Sequence, residues 1–170
     1  MSTTATSGTT NPEITSLMAG IGSPDDVVRE HARAKLVELG ATAVPALIDA
    51  LNQGAAYRRW EAAKALSEIG DARGANALVR ALEDEDGSVR WIAAEGLIRI
   101  GTASAVPVLE RLVMRSDSVW LREGAHHVLG AISRGRLSEI LKPVRDRLDG
   151  VNPRIGVMTA AATALRQMEE

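Results

Sequence analysis

The 170-residue chain contains no cysteine and no phenylalanine, and only one tyrosine and three tryptophans. Without cysteine there are no disulfides, no thiolate metal ligands and no thiol nucleophile. Without phenylalanine the core must be built from Leu, Ile, Val and Ala, a small-residue set that suits closely approaching helices. No apolar run approaches the ~20 residues of a single membrane span, so no membrane partner is expected. Residues 1–10, MSTTATSGTT, lack the basic and apolar segments of a secretory signal. They read as a disordered tail, and the chain as cytoplasmic. No Gly-x-Ser-x-Gly occurs. Ser23, Ser104 and Ser118 fall at caps and loops, with no His and acid at a recognisable spacing. No strand pattern precedes a glycine-rich phosphate loop. The chain is therefore expected not to be an enzyme.

Charge is scarce in sum but uneven. The formal net charge is -2. Residues 1–86 carry 8 Lys+Arg against 13 Asp+Glu, whereas residues 87–168 carry 12 against 7. Such a gradient can steer a partner to one end. It can equally be drift among repeat surfaces.

What is abundant is repetition. Four arginines, Arg29, Arg59, Arg90 and Arg122, anchor copies of one pattern, 30, 31 and 32 residues apart. Three residues after each comes alanine (Ala32, Ala62, Ala93, Ala125). Seven after comes leucine (Leu36, Leu66, Leu97, Leu129). Ten after comes Leu39, Ile69, Ile100 or Ile132. One before comes Val28, Arg58, Val89 or Leu121. These offsets fall on one helical stripe. Gly40, Gly70 and Gly101 follow, where a left-handed glycine stops a helix at little cost. Second helices carry Val44, Leu47 and Leu51; then Leu78 and Leu82; then Leu109 and Leu112; then Leu141, Val144 and Leu148. Pro143 is expected in the first turn of the last of these, with a kink as the alternative. Asn11-Pro12-Glu13 reads as the start of an extra helix, and Ser23-Pro24-Asp25-Asp26 as a start of the same kind. Asn152-Pro153 is expected to cap a final helix with Met158, Ala161, Leu165 and Met168 on one face.

Two helices per ~30-residue unit mean an all-α fold, an α-solenoid. The expected domain is 11–170, with repeats at about 23–53, 54–84, 85–116 and 117–149. Capping helices lie at about 12–21 and 152–168. The segment VRWIAAEGLIRIG…AVPVLERL resembles the short HEAT-like repeats named after the phycobilisome lyases. That resemblance implies a right-handed superhelix. It leaves function open, because the family spans lyases, scaffolds, adaptors and a metal hydroxylase.

Each chemistry the resemblance implies can be sought in the residues. In deoxyhypusine hydroxylase, built from similar repeats, His-Glu pairs hold two irons at positions matching offsets +1 and +2. Here those offsets hold Glu30-His31, Trp60-Glu61, Trp91-Ile92 and Glu123-Gly124. Glu123, His126 and His127 share one helix, and His31 is three repeats away. Neither a metal nor another cofactor is expected. Bilin attachment, the activity the family is named for, is not ruled out by the residues, but a bilin lyase-like or metal-dependent enzyme is the least favoured reading, because many non-lyases share the repeat. Nucleic acid is the alternative partner, through Arg134, Arg136, Lys142, Arg145, Arg147 and Arg154. The interspersed Asp146 and Asp149 and the slightly acidic total weigh against it. The favoured reading is a non-catalytic scaffold for another protein. Its candidate contact residues form two sets. Asp49, Arg80 and Arg111 share a register on second helices, with Met114 and Arg115 beside them. Trp60, Trp91 and Trp120 lie at first-helix starts and are either an exposed aromatic row or covers for repeat junctions. The repeat arginines are read as junction bonds, with Asp86–Arg90 as the best pair, and the run Glu83-Asp84-Glu85-Asp86 as a solvated turn with N-cap acids.

Overall fold

The structure, a computed structural model, describes residues 11–154 and 156–169. The disordered tail expected at 1–10 lies outside the described residues. The remainder is helical: α1 (Pro12–Gly20), α2 (Asp26–Leu39), α3 (Val44–Leu51), α4 (Ala56–Ile69), α5 (Ala75–Ala81), α6 (Gly87–Ile100), α7 (Ala105–Arg115), α8 (Val119–Ile132), α9 (Gly135–Leu148) and α10 (Val157–Glu169). Three single 3-10 turns, at Gly40–Thr42, Ala72–Gly74 and Gly101–Ser104, link first helices to second ones.

The helices form two layers, an all-α solenoid. First helices α2, α4, α6 and α8 stack in order, and second helices α3, α5 and α7 stack behind them. The repeat alanines and leucines explain the spacing. All eight are buried, and each alanine lets the neighbouring helix approach to backbone distance. The stripe position before each arginine behaves unevenly. Val89 and Leu121 are buried, but Arg58 is only partly buried and Val28 is 44% exposed.

Local chemistry sets the helix ends. Asp25 accepts hydrogen bonds from the amides of Val27 and Val28, at 2.8 and 3.3 Å, so Asp25 and not Ser23 caps α2. Asp86 accepts in the same way from Ser88 and Val89, and Ser118 from Leu121. All three stopping glycines have positive φ, yet only Gly70 is left-handed α (φ 67, ψ 20). Gly40 (φ 57, ψ -129) and Gly101 (φ 79, ψ -141) lie in a region open essentially to glycine alone. By length and composition Gly87–Arg115 is apolar enough to cross a membrane, contrary to expectation. In the fold it is two helices broken at Gly101, half buried in the solenoid.

The C-terminal third departs from the sequence reading most. α9 begins at Gly135, so Pro143 sits in the helix interior, not in the first turn. Pro143 is exposed, as is Glu139, whose carbonyl it leaves without a donor. α10 begins at Val157 after a loop, so Asn152-Pro153 does not cap it. Its fully buried residues are Val157, Ala161 and Ala164; Leu165 and Met168 pack against the core as expected, but Met158 is 49% exposed. Nor does α10 simply cover the free end of α9. It packs on both α7 and α9, taking the place in the second layer beside α7.

Candidate protein-binding surface

The repeat arginines bind the turns between pairs. Each donates from Nη1 to a loop carbonyl just before its own helix: Arg29 to Ser23 at 2.9 Å, Arg59 to Gly54 at 2.6 Å, Arg90 to Asp84 at 2.7 Å and Arg122 to Ser116 at 2.7 Å. One guanidinium thus closes each turn and holds the next first helix at a set height. The Asp86–Arg90 pair does not form. The Asp86 carboxylate caps α6, and Arg90 serves the carbonyls of Asp84 and Glu85.

In the acidic run Glu85 is exposed and Asp86 caps α6 as expected, but Glu83 and Asp84 are not solvated. Asp84 takes a two-pronged bond from Arg59, with Nε to Oδ2 and Nη2 to Oδ1 both at 2.8 Å. Hydrogen bonding to Asp84 raises the Arg59 guanidinium above its already high ordinary value. Glu83 accepts from Arg111 Nε at 2.7 Å and pairs with Arg115 at 3.4 Å. The run ties two repeats together, because Arg59 of its own repeat holds one side and Arg111 and Arg115 of the repeat after hold the other.

That contact changes the polar ladder. Asp49 and Arg80 are exposed, but Arg111 is half-buried and committed to Glu83. Met114, 72% exposed, and Arg115 remain at the surface beside it. The three residues therefore share a register without forming one continuous free strip.

The tryptophans also divide. Trp60 is partly buried and packs against the core, as a junction cover. Trp91 is 61% exposed and Trp120 44%. Trp91 stacks on His127 across α6 and α8, with ring centroids 5.4 Å apart. The Arg90 guanidinium lies 4.4 Å over the Trp120 ring. A cleft of about 260 Å³ opens between α6 and α8, lined by both indoles. Its base includes Leu82, and Gly87, Ala94 and Gly124 contribute almost no side-chain bulk. A β-carbon on Gly124 would stand 2.8 Å from Leu82 Cδ2, which shows how close α8 comes there. Arg90, Glu123 and His127 edge the opening.

One regularity was legible in the sequence and missed. Tyr57 and Trp120 both lie two residues before a repeat arginine. Each is covered by the arginine of an earlier repeat, Arg29 over Tyr57 at 5.0 Å and Arg90 over Trp120. Six exposed apolar side chains, Val27, Val28, Tyr57, Trp91, Val119 and Trp120, fall in the opening turns of first helices. The first-helix edge is consequently the most apolar part of the surface.

Two of the three histidines have carboxylate partners. His126 meets Asp149 at 2.6 Å and His127 meets Glu95 at 3.1 Å. No group of three or more potential metal ligands occurs among the described residues. On α9, Lys142 bonds Asp146 at 2.6 Å, which divides the basic stretch proposed for nucleic acid.

A family model described as HEAT repeats matches residues 14–97 and 75–166. Among solved structures, the chain is similar to a chain in the complex of CpcE and CpcF of phycocyanin lyase from Nostoc sp. PCC7120. The two are 24% identical with a TM-score of 0.61, over 89% of this chain and 97% of that one. No curated protein matches it.

Proposed function

Because the chain belongs to the HEAT-repeat family, we propose that it is a non-catalytic scaffold whose first-helix edge receives another protein. One observation carries this reading: Trp91 and Trp120 stand exposed on either side of an open cleft. Large indoles left in water cost hydrophobic free energy, ~25 cal/mol for each Å² of apolar surface. Trp and Arg are the residue types that dominate binding energy at interfaces. The second-layer residues Met114, Arg80 and Arg115 form a lesser surface, without a cleft between aromatic rings. That the similar chain comes from a complex of CpcE and CpcF agrees with a protein partner.

The test is site-directed photocrosslinking in cells that express the chain natively. A benzophenone amino acid replaces Val119, which is 55% exposed beside the cleft, or Val151, which is fully exposed and distant in sequence. A discrete adduct is expected from position 119 and not from 151. Trp91→Ala with Trp120→Ala should remove it. Equal labelling from both positions, or an adduct that survives the double substitution, would refute the assignment.

A further inference from the structure

We infer that the cleft between α6 and α8 takes one cationic side chain, an arginine or lysine, from the partner polypeptide. This deepens the scaffold reading and rests on it for the partner being a protein.

The size points to a side chain. Pockets for drug-sized ligands run from ~300 to 1,000 Å³, and this one is about 260 Å³. Its base of Leu82, Ala94 and Gly124 suits a methylene stem, and its two indoles present π surface to a charged head. The rim carries the complementary charge. Glu123 is exposed and makes no ion pair among the described residues. Glu95, on the adjacent turn of α6, is balanced by a histidine only when that histidine is protonated. The one cation on the rim, Arg90, already serves two backbone carbonyls and the Trp120 ring.

The chain also displays the mode of recognition. Arg29 on Tyr57 and Arg90 on Trp120 are two guanidinium–aromatic contacts at one repeat register. Trp91, one position type further along the same helix edge, has a histidine against it and no cation. An incoming arginine or lysine would supply on Trp91 what the repeat supplies to itself on Trp120, with Glu123 as its counter-charge.

The three tryptophans give three indole N–H resonances, so the test reads each separately. The probe is the blocked tripeptide glycyl-arginyl-glycine, titrated into the full chain, with its lysyl and leucyl counterparts in parallel. The expected result is saturable movement of the Trp91 and Trp120 signals with the arginyl and lysyl probes and a still Trp60 signal. Glu123→Gln should weaken the cationic probes about twofold to fivefold, and Trp91→Ala should abolish the response with the fold intact. No saturable shift with either cationic probe, or a leucyl probe that binds as well, would overturn the inference. An adduct at position 119 with no response to cationic probes would leave the scaffold standing and remove only the cationic occupant. Probe binding without an adduct would do the reverse.

Discussion

Removing Asp84 tests whether the acidic run is a structural joint. Its carboxylate receives two guanidinium bonds from Arg59, at 2.8 Å each, and one from the Asp86 amide at 2.8 Å. The two side chains are only 10% and 12% exposed. Breaking a pair so buried costs about 3–5 kcal/mol, and the lower end applies here because Arg59 keeps the exposed Glu85 carboxylate at 3.1 Å. Asp84→Leu is therefore expected to cost about 3 kcal/mol, and Arg59→Met, which strands the carboxylate, about the same. The double variant strands neither charge. It still loses the acceptor for the Asp86 amide and the donor to the Gly54 carbonyl, about 1 kcal/mol each. It should cost about 2–3 kcal/mol, against about 6 kcal/mol for independent sites. Urea denaturation followed by circular dichroism and by tryptophan fluorescence measures this, with coincident transitions as the condition for comparing free energies. Additive costs, or an Asp84→Leu cost below about 1 kcal/mol, would refute the joint.

Trp60→Ala is expected to lower stability by about 2 kcal/mol, because a core-packed ring is lost; Trp91→Ala should stay within about 0.5 kcal/mol as a surface change, and the same urea experiment checks both. Gly70→Asn should cost less than about 1 kcal/mol, since asparagine tolerates the left-handed α conformation, whereas Gly101→Asn should cost about 2 kcal/mol in its glycine-only region. Hydrogen bonding to Arg73 holds the Asp71 carboxyl at about 2, below its ordinary 3.8. The depressed folded value means that its contribution to stability is present above about pH 4 and fades as pH falls through about 2. A carboxyl resonance of Asp71 that titrates near pH 2, and returns toward 3.8 in Arg73→Ala, is the expected signature.

Periodicity within a helix was readable because burial repeats every three or four residues. That is why Ala93, Leu97 and their counterparts fall where the spacing put them. Meetings between repeats were harder to read. Glu83 and Asp84 look like solvated acids until α4 and α7 bring Arg59 and Arg111 to them. Trp60 and Trp91 share an offset, yet only one is covered, because coverage depends on what the next repeat places opposite. Trp91 meets His127, at an offset the repeat pattern leaves unmarked. The displacement of α10 was invisible for the same reason. Of its expected face Ala161 is buried and Leu165 and Met168 pack on the core, while packing on α7 and α9 puts Val157 inside in place of Met158.

That placement of α10 makes the chain less local than its repeats suggest. Elsewhere in the two layers, neighbours lie roughly one repeat apart. The helix that covers α7 lies about 50 residues further on. At a synthesis rate of ~5–20 residues per second, α7 waits roughly 3–10 s for its neighbour. Through that interval Leu109 and Leu112 belong to an unfinished layer. The N-terminal pairs can close as they emerge, but the C-terminal pairs fold as one block, in an order set by α10.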